Sequence, residues 1–163
     1  MIQKQQQQRR RKITEYGYQL QEKQKTKQTY GLRESQFRLY FQSAAKNKSE
    51  TGNTLLQILE SRLDNVLYRS GLAISRPQAR QLISHRHFSV NGHRVNIPSI
   101  LVRPGDIISP HNLKTIHFEP EHGIAPWLDL NKKSLTVTVD RLPSADELPL
   151  EFDTQKIVQF YSR

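Results

Sequence analysis

Between Arg62 and Arg103 the chain carries seven arginines and three histidines against one acid, Asp64. The arginines are Arg62, Arg69, Arg76, Arg80, Arg86, Arg94 and Arg103, and His85, His87 and His93 lie among them. A guanidinium is a permanently charged fork of N–H donors that fits phosphate oxygens. The chemistry this set supports is neutralisation of a polyanion, and nucleic acid is the first such partner to expect. Catalysis has little to stand on. The sequence holds no Gly-rich phosphate loop, no Ser/His/Asp constellation and no metalloprotease motif. Asp64, two residues from Arg62, reads as a structural ion-pair or capping residue. His111, His117 and His122 are spaced too widely for paired metal ligands and read as loop histidines.

The elements that must position these cations can be read locally. Leu55, Leu56, Leu59, Leu63, Val66 and Leu67 recur at three- and four-residue intervals, which predicts one helix with an apolar face. Asn53 or Thr54 is placed to cap it, with Gln57 completing a box for Thr54, and Gly71 to end it. Ser75 caps the next helix, with Pro77 in its first turn. Ala79, Leu82 and Ile83 should face inward, while Arg76, Arg80 and Ser84 share another face. The period then becomes alternating, with Phe88 and Val90, then Val95 and Ile97, around the Asn91-Gly92 hairpin dipeptide. Arg103-Pro-Gly-Asp106 is a second turn, and Ile107-Ile108 resumes a strand.

Outside this stretch, Met1 to Lys12 is Gln- and Arg-rich and offers nothing for a core. Thr14 is placed to cap a polar helix from Glu15 to about Tyr30, which needs support from neighbours or RNA. Leu32 to Ala45 is amphipathic, with Phe37, Tyr40, Phe41, Ala44 and Ala45 on one face. Tyr16 and Tyr18 lie outside that stripe and are better placed to meet RNA. Trp127–Leu130 and Leu135–Val139 read as strands around Asn131–Ser134, with Val137 and Val139 inward. Thr154 to Tyr161 is a short helix whose Ile157, Phe160 and Tyr161 need a partner face, and the Phe37–Phe41 stripe is available.

Composition sets the outer bounds. Apolar residues make up 35% of 163, and the formal charge is +10. That charge is uneven: residues 1–48 hold twelve Lys or Arg against three acids, and residues 104–163 hold six against nine. One side of the molecule is thereby fitted to a polyanion. The absence of cysteine excludes disulfides and thiolate metal sites. No apolar run approaches membrane-spanning length, and the N-terminus lacks the apolar core of a secretory signal.

Taken together, the helix at Ser75, the Val90-Asn-Gly hairpin and the Pro-Gly-Asp turn resemble the S-four RNA-binding domain. Tyr16-Gly-Tyr-Gln-Leu-Gln-Glu-Lys-Gln-Lys25, Tyr30-Gly31, Gln36-Phe-Arg38, Glu60-Ser-Arg-Leu-Asp-Asn65 and Tyr161-Ser-Arg163 extend the likeness to the ribosomal small-subunit protein four family. The resemblance implies an α+β fold. A mainly helical domain is built from residues 1–50 plus 141–163, and an S-four domain from residues 51–140, with helices packed on a small, mostly antiparallel sheet, is inserted between them. It also implies direct binding of small-subunit rRNA at a multi-helix junction of the 5′ domain, nucleation of assembly, and a place near the mRNA entry channel beside small-subunit proteins five and three, with influence on decoding accuracy. No cofactor, membrane or small-molecule substrate is expected, and the setting is the cytoplasm or an organellar ribosome.

The residues expected to meet RNA begin with Arg9, Arg10, Arg11 and Lys12 in the tail. Tyr16, Tyr18, Gln19, Lys23, Lys25, Lys27, Arg33 and Arg38 follow in the first two helices. The central stretch supplies Arg62, Arg69, Arg76, Arg80, Ser84, His85, Arg86, Asn91, Gly92, His93 and Arg94. Family members usually carry several dozen residues before the Tyr16 string, some with zinc-binding cysteines, whereas here a Gln/Arg tail precedes it; zinc is not expected. The alternative is a free-standing S-four-domain factor acting on ribosomes or structured RNA. The S-four domain also occurs in pseudouridine synthases and tyrosyl-tRNA synthetases, which need a catalytic domain longer than the residues left here.

Overall fold

The computed structural model describes residues 11–118 and 123–163. Within them the fold is α+β, with six α-helices and one antiparallel sheet of order β2-β1-β3-β5-β4. The helices are α1 (Glu15–Thr29), α2 (Glu34–Ala44), α3 (Thr51–Glu60), α4 (Leu63–Arg69), α5 (Arg76–Ser84) and α6 (Thr154–Tyr161). The strands are β1 (Phe88–Val90), β2 (His93–Val95), β3 (Ile107–Pro110), β4 (Leu128–Asn131) and β5 (Thr136–Val139).

Two hydrophobic cores organise these elements. In the first, α2, α3 and α6 bring together Phe37, Phe41, Leu55, Leu59 and Ile157, closed by Tyr30 and Phe152. In the second, Leu63, Val66 and Leu67 of α4 and Ala79 and Ile83 of α5 cover Phe88, Ile108, Val137 and Val139 on the inner sheet face. The strand pattern follows the pleat. Val137 and Val139 are buried, while Thr136 and Thr138, alternating with them, are half-buried on the other face.

Local chemistry sets the boundaries of these elements. The Thr14 hydroxyl accepts from the Gly17 N–H at 3.2 Å to start α1, and Ser75 accepts from the Gln78 N–H at 3.2 Å to start α5. Asn91 and Gly92 take φ of 51° and 80°, the pair of positive values that a two-residue hairpin of this hand needs. α6 spans the expected residues, and Asp153 caps it by accepting from the Lys156 N–H.

Four expectations are corrected. The apolar pattern from Leu55 to Leu67 forms two helices, broken at Ser61-Arg62. There the backbone turns aside to pair with residues 98–102: the Leu63 N–H donates to the Ile100 carbonyl at 2.8 Å, and the Val102 N–H to the Ser61 carbonyl at 2.8 Å. These bonds replace the helical ladder, so periodicity survives a break in the helix. Second, α3 starts at Thr51 after Glu50, so Asn53 and Thr54 lie inside it and form no cap. Third, Ile97 lies beyond β2 and is exposed. Fourth, Tyr161, not Phe160, faces the α2 stripe: its ring stacks on Phe41 with centroids 4.4 Å apart, while Phe160 turns to Tyr16 at 5.7 Å.

The α3 leucines also bear on the domain boundary placed at residues 50 and 51. Leu55, Leu56 and Leu59 pack in the first core and Leu63 in the second. The two cores therefore part between Leu59 and Leu63.

Candidate nucleic-acid interface

Where the cores part, a polar hub joins them. Its anchors are Glu60, at the end of α3, and Asp64 and Asn65, in the first turn of α4; all three are buried. Glu60 accepts from Arg69 Nε and Nη2, each at 2.9 Å, from Asn65 Nδ2 at 2.7 Å and from the Tyr30 hydroxyl. Asp64 accepts from Arg62 Nε at 3.1 Å and Nη2 at 3.0 Å, and pairs with Arg80 Nη1 at 3.7 Å. Asn65 Oδ1 accepts from Arg76 Nε at 3.0 Å. The Arg76 guanidinium also lies 4.7 Å from the Tyr30 ring and 4.5 Å from the Tyr68 ring. Arg80 Nη1 donates to the Tyr30 carbonyl at 3.0 Å, and Arg62 Nη1 to the Tyr40 hydroxyl at 2.9 Å.

Ionisation in the hub follows this pairing. Burial works against the charge of Glu60, yet the hydrogen bonds and charge of Arg69, with those of Tyr30 and Asn65, hold its carboxyl below the usual range. Burial, then the Glu60 charge, pushes the Tyr30 phenol well above its ordinary value. Arg62 is opposed by burial but held charged by Asp64. Arg76, whose main influence is burial, is pulled down. Four guanidiniums face two carboxylates, so the hub keeps an excess of positive charge. A groove of about 450 Å³ opens beside it, lined by Gly31, Arg33, Gln36, Arg62, Arg80 and Ser99 among others. Gly31 is fixed twice over: its φ is +66°, and a β-carbon there would collide with the Arg80 guanidinium.

This geometry sorts the residues expected to meet RNA. Arg62 is 3% exposed and held at both edges, so it builds the hub and has no free donor face. Arg69, Arg76 and Arg80 are likewise tied inward; the face that Arg76 and Arg80 share is turned toward the helical unit, while Ser84 on it is exposed. Lys23 is 5% exposed, bonded to Glu34 at 2.8 Å and 4.7 Å from the Phe160 ring; Lys27 reaches the same carboxylate at 3.3 Å. Gln19 is buried between Gln159 and Arg163. Lys25 is exposed and donates to the Glu151 carbonyl.

Tyr16 and Tyr18 are exposed; Arg163 lies 4.9 Å from the first ring and Lys156 5.5 Å from the second. Arg11, Lys12, Arg33 and Arg38 are exposed. So are His85 and Arg86 at the end of α5, and Asn91, Gly92, His93 and Arg94 in the hairpin. Arg9, Arg10 and His122 lie outside the described residues. Asp64 does form the structural ion pair expected of it. Tyr30, Glu60 and Asn65 are the hub members sequence reasoning did not single out. The available signal was Glu60, a lone acid closing an apolar helix nine residues before Arg69. Among the described residues no group of three or more His, Asp or Glu is arranged to hold a metal ion, and no helix is long and apolar enough to cross a membrane.

Comparison with known proteins divides the chain at the same place as its cores. Residues 1–60 match the Ribosomal protein S4/S9 N-terminal domain, and residues 61–108 match the S4 domain. The chain is 48% identical over 162 residues to the small ribosomal subunit protein uS4 of Thermodesulfovibrio yellowstonii, covering 94% of this chain and 78% of that one. It is 47% identical over 161 residues to uS4A of Symbiobacterium thermophilum, with 94% and 78% covered. To uS4 of Thermotoga maritima it is 45% identical over 165 residues, covering 96% and 79%.

Proposed function

Because the chain belongs to the small ribosomal subunit protein uS4 family, we propose that it is a structural, non-enzymatic component of the small ribosomal subunit that binds the subunit's rRNA directly. The observation that carries this reading is the likeness to uS4 proteins across 94% of the chain. The RNA site is a multi-helix junction in the 5′ domain, and binding there nucleates assembly. The hub supports such a role, because it fixes two basic units relative to one another and a branched RNA must be met on more than one arm. Contacts are to phosphate and shape more than to base edges, since A-form RNA hides its major-groove edges from side chains. The RNA-facing set is the exposed cations and turns Arg11, Lys12, Arg33, Arg38, His85, Arg86 and Asn91–Arg94, together with Arg9 and Arg10, which lie outside the described residues. The chain lies near the mRNA entry channel with small-subunit proteins five and three as neighbours, influences decoding accuracy there, and works in the cytoplasm or an organelle. Co-sedimentation tests the reading. A stoichiometric band in small subunits is expected; a transient association with large subunits would instead identify a free-standing RNA-binding factor.

A further inference from the structure

Asn91 is the one asparagine in the chain that is followed by glycine. The pair makes the hairpin turn. It is also the context in which the backbone most readily attacks an asparagine amide, because no β-carbon shields the next nitrogen. Both residues are exposed. A β-carbon at Gly92 would meet nothing within 4 Å, and the Gly92 N–H has no hydrogen bond among the described residues. The attacking nitrogen is therefore free.

The amide it would attack is not free. Asn91 Nδ2 donates to Asp106 Oδ1 at 2.9 Å, and Asn91 Oδ1 accepts from the Ile107 N–H at 2.9 Å. The Asn91 N–H donates to the Ile107 carbonyl at 2.8 Å, so main chain and side chain grip the same residue of β3. Asp106 is fixed in turn, because its Oδ2 accepts from the Arg103 N–H at 2.8 Å. Ring closure needs the carboxamide carbon to swing onto the Gly92 nitrogen, and both heteroatoms on that carbon are tied to the start of β3 instead.

We propose that Asn91 is a site of spontaneous deamidation, held closed by its bonds to Asp106 and Ile107 and opened when the hairpin tip loosens. In the reaction the Gly92 nitrogen gives its proton to solvent and bonds to Asn91 Cγ. The Cγ–Nδ2 bond breaks, and the amide nitrogen takes a proton from water and leaves as ammonia. Water then opens the cyclic imide. Addition at Cγ restores the normal main chain with an aspartate side chain; addition at the main-chain carbonyl leaves the chain running through Cγ, one methylene longer. Water is consumed, ammonia is released, and nothing is oxidised or reduced. Either product has a carboxylate in place of the amide. It has no N–H to offer Asp106 and repels that residue's negative charge. The hairpin is thereby untied from β3, without return unless the linkage is repaired. The effect on RNA rests on the reading that the chain binds small-subunit rRNA; the reaction itself does not.

The test ages the full chain in mildly alkaline buffer and follows each asparagine by peptide mass spectrometry, with an isoaspartyl-specific carboxyl methyltransferase as the probe for the lengthened linkage. Asn91 should convert before any other asparagine. Asp106→Ala should speed its conversion roughly five- to tenfold, the protection that one hydrogen bond gives. The unaltered chain in denaturant should also convert faster than the folded chain, a comparison that needs no variant. Asn91→Asp should weaken binding to a transcript of the small-subunit rRNA 5′ domain roughly three- to tenfold. Earlier conversion of another asparagine overturns the proposal. So does an equal or slower rate in Asp106→Ala or in denaturant, which would mean that these bonds poise the amide for attack. If the fresh, unaltered chain does not bind the transcript, the functional reading falls, and the conversion rates still decide this proposal.

Discussion

Glu60 and Arg69 meet through two N–H···O bonds of 2.9 Å each, across the break between the third and fourth helices. The carboxylate belongs to a helix packed in the first core and the guanidinium to one packed in the second. Removing the Glu60 carboxylate leaves the half-buried Arg69 guanidinium without its ion pair and the buried Tyr30 hydroxyl and Asn65 amide without their acceptor. Glu60→Ala should therefore cost about 3–5 kcal/mol, read as a lowered denaturant midpoint. An unchanged midpoint would show that the two units are joined by other means.

The same carboxylate should govern acid sensitivity. The folded-state carboxyl of Glu60 sits below its ordinary value, so the unfolded chain takes up the proton first as pH falls. The stabilisation is complete above the unfolded value, about 4.3, and drains away as pH drops through the lower folded value. Tyr30 acts at the other end. Its phenol is held above its ordinary value of 10.0, so its contribution is complete below that pH and is lost as pH rises through the folded value. Glu60→Gln should flatten the acid limb of a stability–pH curve, and Tyr30→Phe the alkaline limb; a limb that keeps its slope would contradict the assignment.

The last helix should act through Ile157 and Tyr161. Ile157 is fully buried in the first core, and Ile157→Ala should cost about 2–5 kcal/mol. Phe160 is only half-buried, so Phe160→Ala should cost less than Ile157→Ala in the same denaturant titration. The reverse order would contradict the packing of this helix on the stripe of Phe37 and Phe41.

Asn91 should serve shape rather than charge. Its amide ties the hairpin to Asp106 and Ile107. Asn91→Ala breaks both bonds and leaves a β-branch-free but still strained residue at positive φ, at a cost of roughly 1–3 kcal/mol. RNA affinity should fall while the salt slope stays the same, because no cation is lost; a flatter slope would mean that the hairpin's effect is electrostatic.

The basic tail should act by charge alone. Removing residues 1–12, which carry Arg9, Arg10, Arg11 and Lys12, should flatten the salt slope by roughly two to four units and weaken binding most at low salt. A slope equal to that of the full chain would take the tail out of the interface.

Much of the fold was legible because its signals are local. Thr14 and Ser75 cap helices through their own hydroxyls, Asn91-Gly92 sets its own turn, and the alternation at Val137 and Val139 selects a face. What escaped depends on distant partners. Nothing near Arg62 announces that residues 98–102 will take the backbone hydrogen bonds of Ser61, Leu63 and Asp64, so an unbroken leucine pattern hid a broken helix. The proposed interface was legible as a class of residue more than residue by residue. Arginine at four-residue spacing shows that Arg76 and Arg80 share a face; that this face closes on Tyr30 depends on a contact across about fifty residues of chain. Charge alone does not separate a guanidinium that builds a site from one that uses it. Burial and partners do.

We propose that this chain binds small-subunit rRNA at one branched site, with two units held in fixed relation. A hydroxyl-radical footprint of the protein on its own small-subunit rRNA tests it most directly, with Glu60→Ala run in parallel. Backbone protections should be confined to one multi-helix junction of the 5′ domain and spread over more than one arm, with loss of protection on one arm in the variant that unties the hub. Protections scattered along the rRNA, or a stronger footprint on large-subunit rRNA, would contradict it.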